Sequence, residues 1–256
     1  RLMTNNLVLY HQIYHEKPIY GGMESRASYE TLENIQTYFL NMFRINCDNT
    51  PCQSDGKKDV IKQDLSIHGL SLFDYFDIKY VILHKKMPYQ NISPDFIPET
   101  KQIMSEILSG DDPVYEDDRT VVYKIPKPNS QEPFLLLGSG WHTLSENNAR
   151  GSMKNSEILI VNPTSYDITI TLNLVLGSIE KEKIMTVSLN DEKVDEINIP
   201  TSISNIMIED LILKSGVNVV ALDADESRLI TYDGTGMAKF LSTTLAFGIQ
   251  SISITD

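Results

Sequence analysis

The feature that most limits the fold of this chain is a change of hydrophobic period after residue 133. From there on, apolar and polar residues alternate in short segments separated by turn residues, as in β-strands half buried in an antiparallel sheet. Eight such segments occur between Phe134 and Thr255, with almost no helical periodicity. The pattern predicts an antiparallel β-sandwich of the jelly-roll type over residues 134–256. The predicted strands are 134–138, 157–163, 167–177, 183–191, 196–200, 203–213, 218–224 and 247–255.

The first half of the chain carries a mixture of helical and strand-like patterns. The predicted helices are 4–16, 28–42, 58–75 and 95–109, where apolar residues recur at three- and four-residue steps. Gly69 is a weak point inside the third helix, and Gly110 ends the fourth. A β-branched run at 77–85 predicts a strand buried on both faces, and a hairpin follows at 113–125. Residues 1–126 are therefore predicted to be a mixed α/β domain, which makes the fold class α+β.

A proline-rich segment separates the two patterns. The run PKPNSQEP holds three prolines in eight residues, a composition that favours an extended linker over a packed element. The sequence therefore predicts two domains, 1–126 and 134–256, joined by a linker of residues 127–133.

Charge and hydropathy narrow the classes of partner. The formal net charge is −13 over 256 residues, which argues against a nucleic-acid partner because such proteins present basic patches. No apolar run approaches the roughly 20 residues that a transmembrane helix needs. The chain begins at Arg1 without an initiator Met or a signal peptide, so we interpret it as a piece of a longer protein or a mature form.

The run YHQIYHEKPIYGGMESR concentrates polar rings, a Gly-Gly turn and an arginine near the start of the chain. Helical spacing groups Tyr10 with Tyr14 and His11 with His15, which is typical either of a ligand-facing surface or of plain packing. A metal site is a weaker hypothesis, because no glutamate follows His11 directly and no third ligand is found. Arg26 either clamps a carboxylate or phosphate or ties the turn to a nearby glutamate.

Two further kinds of polar loop carry candidate sites. Cys47 and Cys52 close a short loop and form either a disulfide, which fits an extracytoplasmic location, or two free thiols. The acidic turns Asp111–Asp112 and Glu116–Asp118 are either solvated hairpin tips or ligands for a structural calcium ion.

Trp141 is the only tryptophan of the chain. Its ring either stacks on a sugar or belongs to the core of the sandwich. No Ser-His-Asp or Cys-His arrangement is found, so no catalytic residue is predicted. A glycoside hydrolase would need two converging carboxylates, and Glu24, Glu116 and Glu146 are the first candidates for them.

The N-terminal motif resembles a known family. It is similar to a segment of polytopic membrane glycosyltransferases of the dolichyl-phosphate-mannose, or GT-C, type. The positions that match are Tyr10, Gln12, His15, Lys17, Pro18, Gly21, Gly22, Ser25 and Arg26. His11 departs from a Tyr of that stretch, and Glu16 replaces a commoner Gly. The runs FDYFDIKYVILHKK (73–86) and DDPVYEDDRTVVYKI (111–125) resemble later parts of the same region, so the resemblance covers about 1–126.

The second half resembles galactose-binding and other carbohydrate-binding β-sandwiches. GWHTLSENNARGSM (140–153) is similar to their Gly-Trp, Glu and Arg opening, and LILKSGVNVVAL (211–222) to a strand pair turned at Gly216. In that strand pair, Asn218 is placed to bond the backbone of the loop. The turn at Asn190-Asp191 departs from the family's Asn-Gly.

The two resemblances imply a non-catalytic, extracytoplasmic accessory region of a membrane glycosyltransferase-like protein, tethered to the membrane in its parent. The expected partners are the membrane-embedded part of the same parent chain and a glycan or lipid-linked sugar, and no nucleic acid. No cofactor is expected apart from the calcium ion considered above. One alternative is a structural module that packs on a membrane domain or a cell-envelope partner. A second alternative is a glycan-active hydrolase.

Overall fold

The computed structural model describes residues 45–46, 53–54, 59–85, 97–145, 148–178, 180–231 and 242–255. These described residues fall into two compact units. The larger unit comprises the described parts of 57–81, 104–112 and 124–256, and the smaller one those of 1–56, 82–103 and 113–123. The linker predicted at 127–133 stays a prediction as a domain boundary.

Within the described residues, the chain forms short helices and many strands. The helices are α1 (Leu65–Tyr75) and α2 (Ile97–Ile107). The strands are β1 (Ile45–Asn46), β2 (Gln53–Ser54), β3 (Tyr80–His84), β4 (Tyr115–Glu116), β5 (Thr120–Lys124), β6 (Phe134–Leu137), β7 (Trp141–Leu144), β8 (Arg150–Ser152), β9 (Asn155–Asn162), β10 (Ile168–Ser178), β11 (Lys183–Leu189), β12 (Glu192–Ile199), β13 (Ser204–Leu213), β14 (Gly216–Ala224), β15 (Arg228–Thr231), β16 (Ser242–Leu245) and β17 (Phe247–Thr255). No described helix is long and apolar enough to cross a membrane.

The larger unit is built on two five-stranded antiparallel sheets. Their strand orders are β13-β10-β17-β8-β7 and β12-β11-β14-β9-β6. The inward side chains of both sheets form one buried apolar cluster, to which β10 contributes Leu172 and Leu174, and β11 and β14 contribute Val187 and Val220. Each such buried side chain contributes about 1.5–3 kcal/mol to folding. The predicted antiparallel β-sandwich is therefore confirmed, whereas its finer description as a jelly roll stays a prediction.

Strand β10 shows how the alternating sequence produces this arrangement. Ile170, Leu172, Leu174 and Leu176 are buried in the core. The residues between them, such as Asn173, are partly exposed on the other face of the sheet. Successive side chains of a strand point to opposite faces, so a period of two in hydrophobicity gives one buried and one solvated face.

A segment upstream of α1 also belongs to the larger unit. Ile61 forms a parallel bridge with Ile252 of β17. The N–H of Lys62 donates to the carbonyl of Ile252 at 2.8 Å, and the N–H of Ile252 donates to that of Val60 at 2.8 Å. Residues 60–62 thus pair with β17 of the sandwich, and the helix predicted at 58–75 begins only at Leu65.

The capping of α1 explains this late start. Asp64 has extended backbone angles, and its carboxylate accepts a hydrogen bond from the N–H of Ser66 at 2.9 Å. An aspartate at this position satisfies one of the free N–H groups of the first turn and defines the helix start. Gly69, predicted to be a weak point, is buried, and an added Cβ would lie 2.8 Å from Ile107. The glycine therefore allows close packing.

Helix α2 agrees with its prediction at 95–109. Beyond it, Gly110 has a φ of +88°, and its N–H donates to the carbonyl of Ser105 at 2.8 Å. A glycine in the left-handed region is the usual way to end a helix.

The strand predicted at 77–85 exists as β3, but the prediction that it is buried on both faces is wrong. It lies at the edge of a three-stranded sheet of order β3-β5-β4. Tyr80 is 45% exposed and Ile82 is 49% exposed. The β-branched run therefore reflects strand propensity without double burial. Strands β4 and β5 form the hairpin predicted at 113–125.

Six short strands of the described chain were not predicted, namely β1, β2, β7, β8, β15 and β16. They are two to four residues long, and each contains polar residues. Such segments show too few alternations to register as strands. The mixed α/β domain predicted at 1–126 is described only in part and stays a prediction.

Candidate ligand-binding groove

The larger unit carries an open groove of about 390 Å³ on its surface. Two chain segments line it, one leading into β6 and one connecting β9 to β10. The lining residues are Ser130, Gln131, Glu132, Pro133, Thr164, Ser165, Tyr166 and Ile168.

One wall of the groove is the segment between β9 and β10, and the buried side chain of Asn162 holds it in place. The side-chain amide of Asn162 donates to the carbonyls of Tyr166 at 2.8 Å and of Leu213 at 3.2 Å, and its oxygen accepts from the N–H of Thr164 at 3.0 Å. The hydroxyl of Ser215 donates to the carbonyl of Thr164. These hydrogen bonds satisfy backbone groups of the turn and fix the turn to the sandwich. Tyr166 stands on it with 66% of its surface exposed.

The second wall is the segment that leads into β6, and helix α1 holds it in place. The N–H of Glu132 donates to the hydroxyl of Ser71 at 2.9 Å, and Ser71 is buried in the helix. The side-chain amide of Gln131 donates to the carboxylate of Asp74 at 3.4 Å. Pro133 follows with its restricted φ and leads directly into β6. Both walls are therefore fixed before any ligand arrives.

The groove combines an exposed ring with groups that form hydrogen bonds. Tyr166 offers an apolar ring face, while Ser130, Ser165 and Gln131 offer hydroxyl and amide groups that both donate and accept. The carboxylate of Glu132 adds an acceptor. This set suits a small ligand whose surface alternates C–H and hydroxyl groups.

Trp141, the candidate for sugar stacking, lies elsewhere. Its ring meets that of Phe247 edge-on at 6.2 Å, and its indole N–H donates to the carbonyl of Glu157 at 2.6 Å. Glu157 and Asn162 are five residues apart on β9. At about 3.3 Å per residue, the Trp141 contact is therefore ~17 Å from the base of the groove. The ring is partly buried against the core cluster, and its role in ligand binding stays a prediction.

The other predicted ligand-facing residues lie outside the described residues. These are Tyr10, His11, Tyr14, His15 and Arg26. The cysteines predicted to form a disulfide, Cys47 and Cys52, also lie outside them, as do the hydrolase candidates Glu24 and Glu146. All of these assignments stay predictions.

The acidic hairpin of the smaller unit uses its carboxylates in local contacts. Glu116 accepts hydrogen bonds from the ammonium groups of Lys101 at 2.6 Å and Lys85 at 2.8 Å, and these two groups lower its pKa. Asp117 accepts from the hydroxyl of Tyr115 at 2.7 Å and from two backbone N–H groups of its own turn. These bonds lower the pKa of Asp117, the Tyr115 hydroxyl contributing most.

The remaining acidic residues considered for calcium are exposed. These are Asp111, Asp112 and Asp118. Within the described parts of the chain, no group of three or more His, Cys, Asp or Glu side chains is arranged to hold a metal ion. The calcium site stays a prediction.

Sequence reasoning did not identify the groove residues Glu132 and Tyr166. Glu132 belongs to the run interpreted as a linker, and Tyr166 to a turn between two predicted strands. One available indication was a tyrosine in a turn of polar residues, where a large ring finds little to pack against. The 34-residue separation of the two positions hides their proximity.

Comparisons with known proteins give a weak structural likeness. No family model and no curated protein matches the chain. Solved structures with a similar arrangement include a family 35 carbohydrate-binding module from an environmental isolate, 20% identical over 46% of this chain and 77% of that one, at a TM-score of 0.26. The family 35 module from Cellvibrio japonicus Abf62 is also 20% identical, over 46% and 75%, at 0.28. The module from Paenibacillus barcinonensis is 13% identical, over 48% and 88%, at 0.27. At scores this low, the likeness assigns neither a family nor a ligand to this chain.

Proposed function

We propose that the larger unit is a glycan-recognition module that binds a saccharide in the groove beside Tyr166. The observation that carries the proposal is an exposed tyrosine ring next to hydroxyl, amide and carboxylate groups on two pinned walls. A sugar ring has the complementary surface, because its C–H face packs on an aromatic ring while its hydroxyls form hydrogen bonds at the rim.

The rigidity of the walls supports binding of a flexible ligand. The bonds that Asn162 and Ser71 make to the two walls exist without the ligand. Association then orders the saccharide but not the protein, which lowers the entropic cost of binding. The groove volume of about 390 Å³ falls within the range of small-molecule sites.

Recognition rather than hydrolysis is the activity we propose. Most glycoside hydrolases place two carboxylates on either side of the scissile bond. Among the described residues that line this groove, Glu132 is the one acidic side chain. The nearby carboxylate of Asp74 already accepts the amide of Gln131.

We propose a wider setting on the basis of the N-terminal resemblance. The chain would be an extracytoplasmic accessory region whose partner is the membrane-embedded part of a GT-C-like parent. Sequencing the gene upstream of the codon for Arg1 tests this setting. A series of long apolar segments is the expected result, and an uninterrupted soluble sequence would contradict it.

The groove is tested by glycan binding and two matched substitutions. A glycan array identifies a ligand, and calorimetric titration then compares the wild type with Tyr166→Ala and Tyr166→Phe. Removal of the ring is expected to weaken binding about tenfold, or ~1.4 kcal/mol. Tyr166→Phe keeps the ring face and is expected to bind within a factor of about two of the wild type. Equal affinity of all three proteins, or the absence of any glycan ligand, would overturn the proposal.

A further inference from the structure

The groove carries a negative formal charge. Among the described residues that line the groove, Glu132 is the one with an acidic side chain, and none is a lysine, an arginine or a histidine. The carboxylate of Asp74 lies 3.4 Å from the side-chain amide of Gln131, which also lines the groove. The groove is therefore negative in a chain whose formal net charge is already −13.

The Glu132 carboxylate is available to a ligand. The residue is half buried, and its backbone N–H is fixed by Ser71. No described side chain forms an ion pair with it; those that the described residues form lie elsewhere, as in Lys181 with Glu226. A carboxylate without a cationic partner attracts an ammonium group, accepts hydroxyl hydrogen bonds, and repels another carboxylate.

We propose that this groove ranks saccharides by charge, binding sugars with a protonated amine most tightly, neutral sugars less tightly and uronic acids least. Glu132 is the side chain that sets the order. This inference rests on the proposed glycan recognition and names the chemical class of its ligand. An exposed ion pair of this kind changes affinity by about fivefold per step, and screening by salt reduces the difference.

Three oligosaccharides with one β-1,4-linked backbone test the ranking. They are tetramers of glucosamine, glucose and glucuronic acid, titrated by calorimetry at about pH 6, between the ordinary pKa values of a carboxylic acid and an amine, so that the amino sugar is positive and the uronic acid negative. We expect the glucosamine tetramer to bind most tightly and the glucuronic acid tetramer least tightly. Raising the salt concentration is expected to reduce the differences in affinity.

Substitutions then assign the ranking to Glu132. Glu132→Gln is expected to bring the three affinities within about twofold, whereas Glu132→Asp keeps the charge and the order. Glu192→Gln removes the same charge from an exposed position on β12 and is expected to leave the order unchanged. Thermal unfolding of each variant verifies that it is folded.

Different outcomes contradict the charge ranking and glycan recognition. If the glucuronic acid tetramer binds as tightly as the glucosamine tetramer, or if Glu132→Gln preserves the order, the charge ranking is wrong while glycan recognition stands. If no saccharide binds in any assay, glycan recognition and the ranking are both wrong.

Discussion

The guanidinium of Arg150 and the carboxylate of Asp59 form a two-point ion pair, with Nε and Nη2 each 2.7 Å from a carboxylate oxygen. The third nitrogen, Nη1, donates to the carbonyl of His142 at 2.8 Å. The two side chains are only 12% and 13% exposed. They are 91 residues apart in sequence, so this contact fixes the segment before α1 to the β7–β8 end of the sandwich.

Asp59→Asn is expected to lower the free energy of unfolding of the larger unit by about 1–3 kcal/mol, because it leaves a mostly buried guanidinium without its counter-charge. Urea unfolding followed by the fluorescence of Trp141 measures the change. Glu196→Gln is the control, since it breaks the exposed pair of Lys193 and Glu196 and is expected to cost less than about 0.5 kcal/mol. Equal effects of the two substitutions would contradict the assignment.

Gly140→Ala is expected to destabilise the sandwich by about 2 kcal/mol or more. The residue has a φ of +83°, and an added Cβ would lie 2.0 Å from the carbonyl oxygen of Asn155, so the backbone must move. Gly248→Ala is the matched control, because an added Cβ meets no atom within 4 Å there. If the urea midpoints of the two variants shift by the same amount, the backbone of Asn155 does not approach Gly140 closely.

Asp191→Gly is expected to stabilise the protein by about 0.5–1 kcal/mol. The hairpin between β11 and β12 turns at Asn190 and Asp191, which have φ values of +52° and +69°, as in a type I′ turn. Glycine adopts this conformation without steric cost, whereas Asp191→Ala is expected to lose about 1 kcal/mol. Thermal unfolding ranks the three proteins, and a glycine variant less stable than the wild type would exclude this turn type.

The ion pairs of Glu116 predict a pH dependence in the smaller unit. Hydrogen bonds from Lys101 and Lys85 hold the pKa of Glu116 below its ordinary value of 4.5. A depressed folded pKa stabilises the fold above the unfolded pKa, and that stabilisation is lost as the pH falls through the folded pKa. Hydrogen exchange of the Val121 amide should therefore be faster in Glu116→Gln than in the wild type at neutral pH. The difference should vanish in acid, and a pH-independent difference would contradict this account.

The repetitive part of the fold was predictable from local pattern. Strand β10 extends over Ile168–Ser178, close to the predicted 167–177, because one face must be apolar and the other polar for a strand on a sandwich. The turn at Asn190-Asp191 was also marked in the sequence, although its departure from Asn-Gly left its type open. The structure shows positive φ at both residues, which asparagine and aspartate tolerate better than most side chains.

The candidate site was not predictable because it depends on contacts between distant segments. The hydrogen bond from the N–H of Glu132 to Ser71 spans 61 residues, and no local periodicity reports such a contact. The pairing of residues 60–62 with Ile252 is equally long-range. Trp141 was a candidate because it is the only tryptophan of the sequence. Its indole N–H and its ring make contacts within the sandwich.

Saccharide binding in the groove is tested most directly by an amide chemical-shift titration of the 15N-labelled protein with the saccharide that binds best. We predict perturbations concentrated at the two walls, at Gln131, Glu132 and the turn from Thr164 to Tyr166, with little change at Trp141. Perturbations confined to Trp141 and its neighbours, or none at saturating ligand, would contradict it.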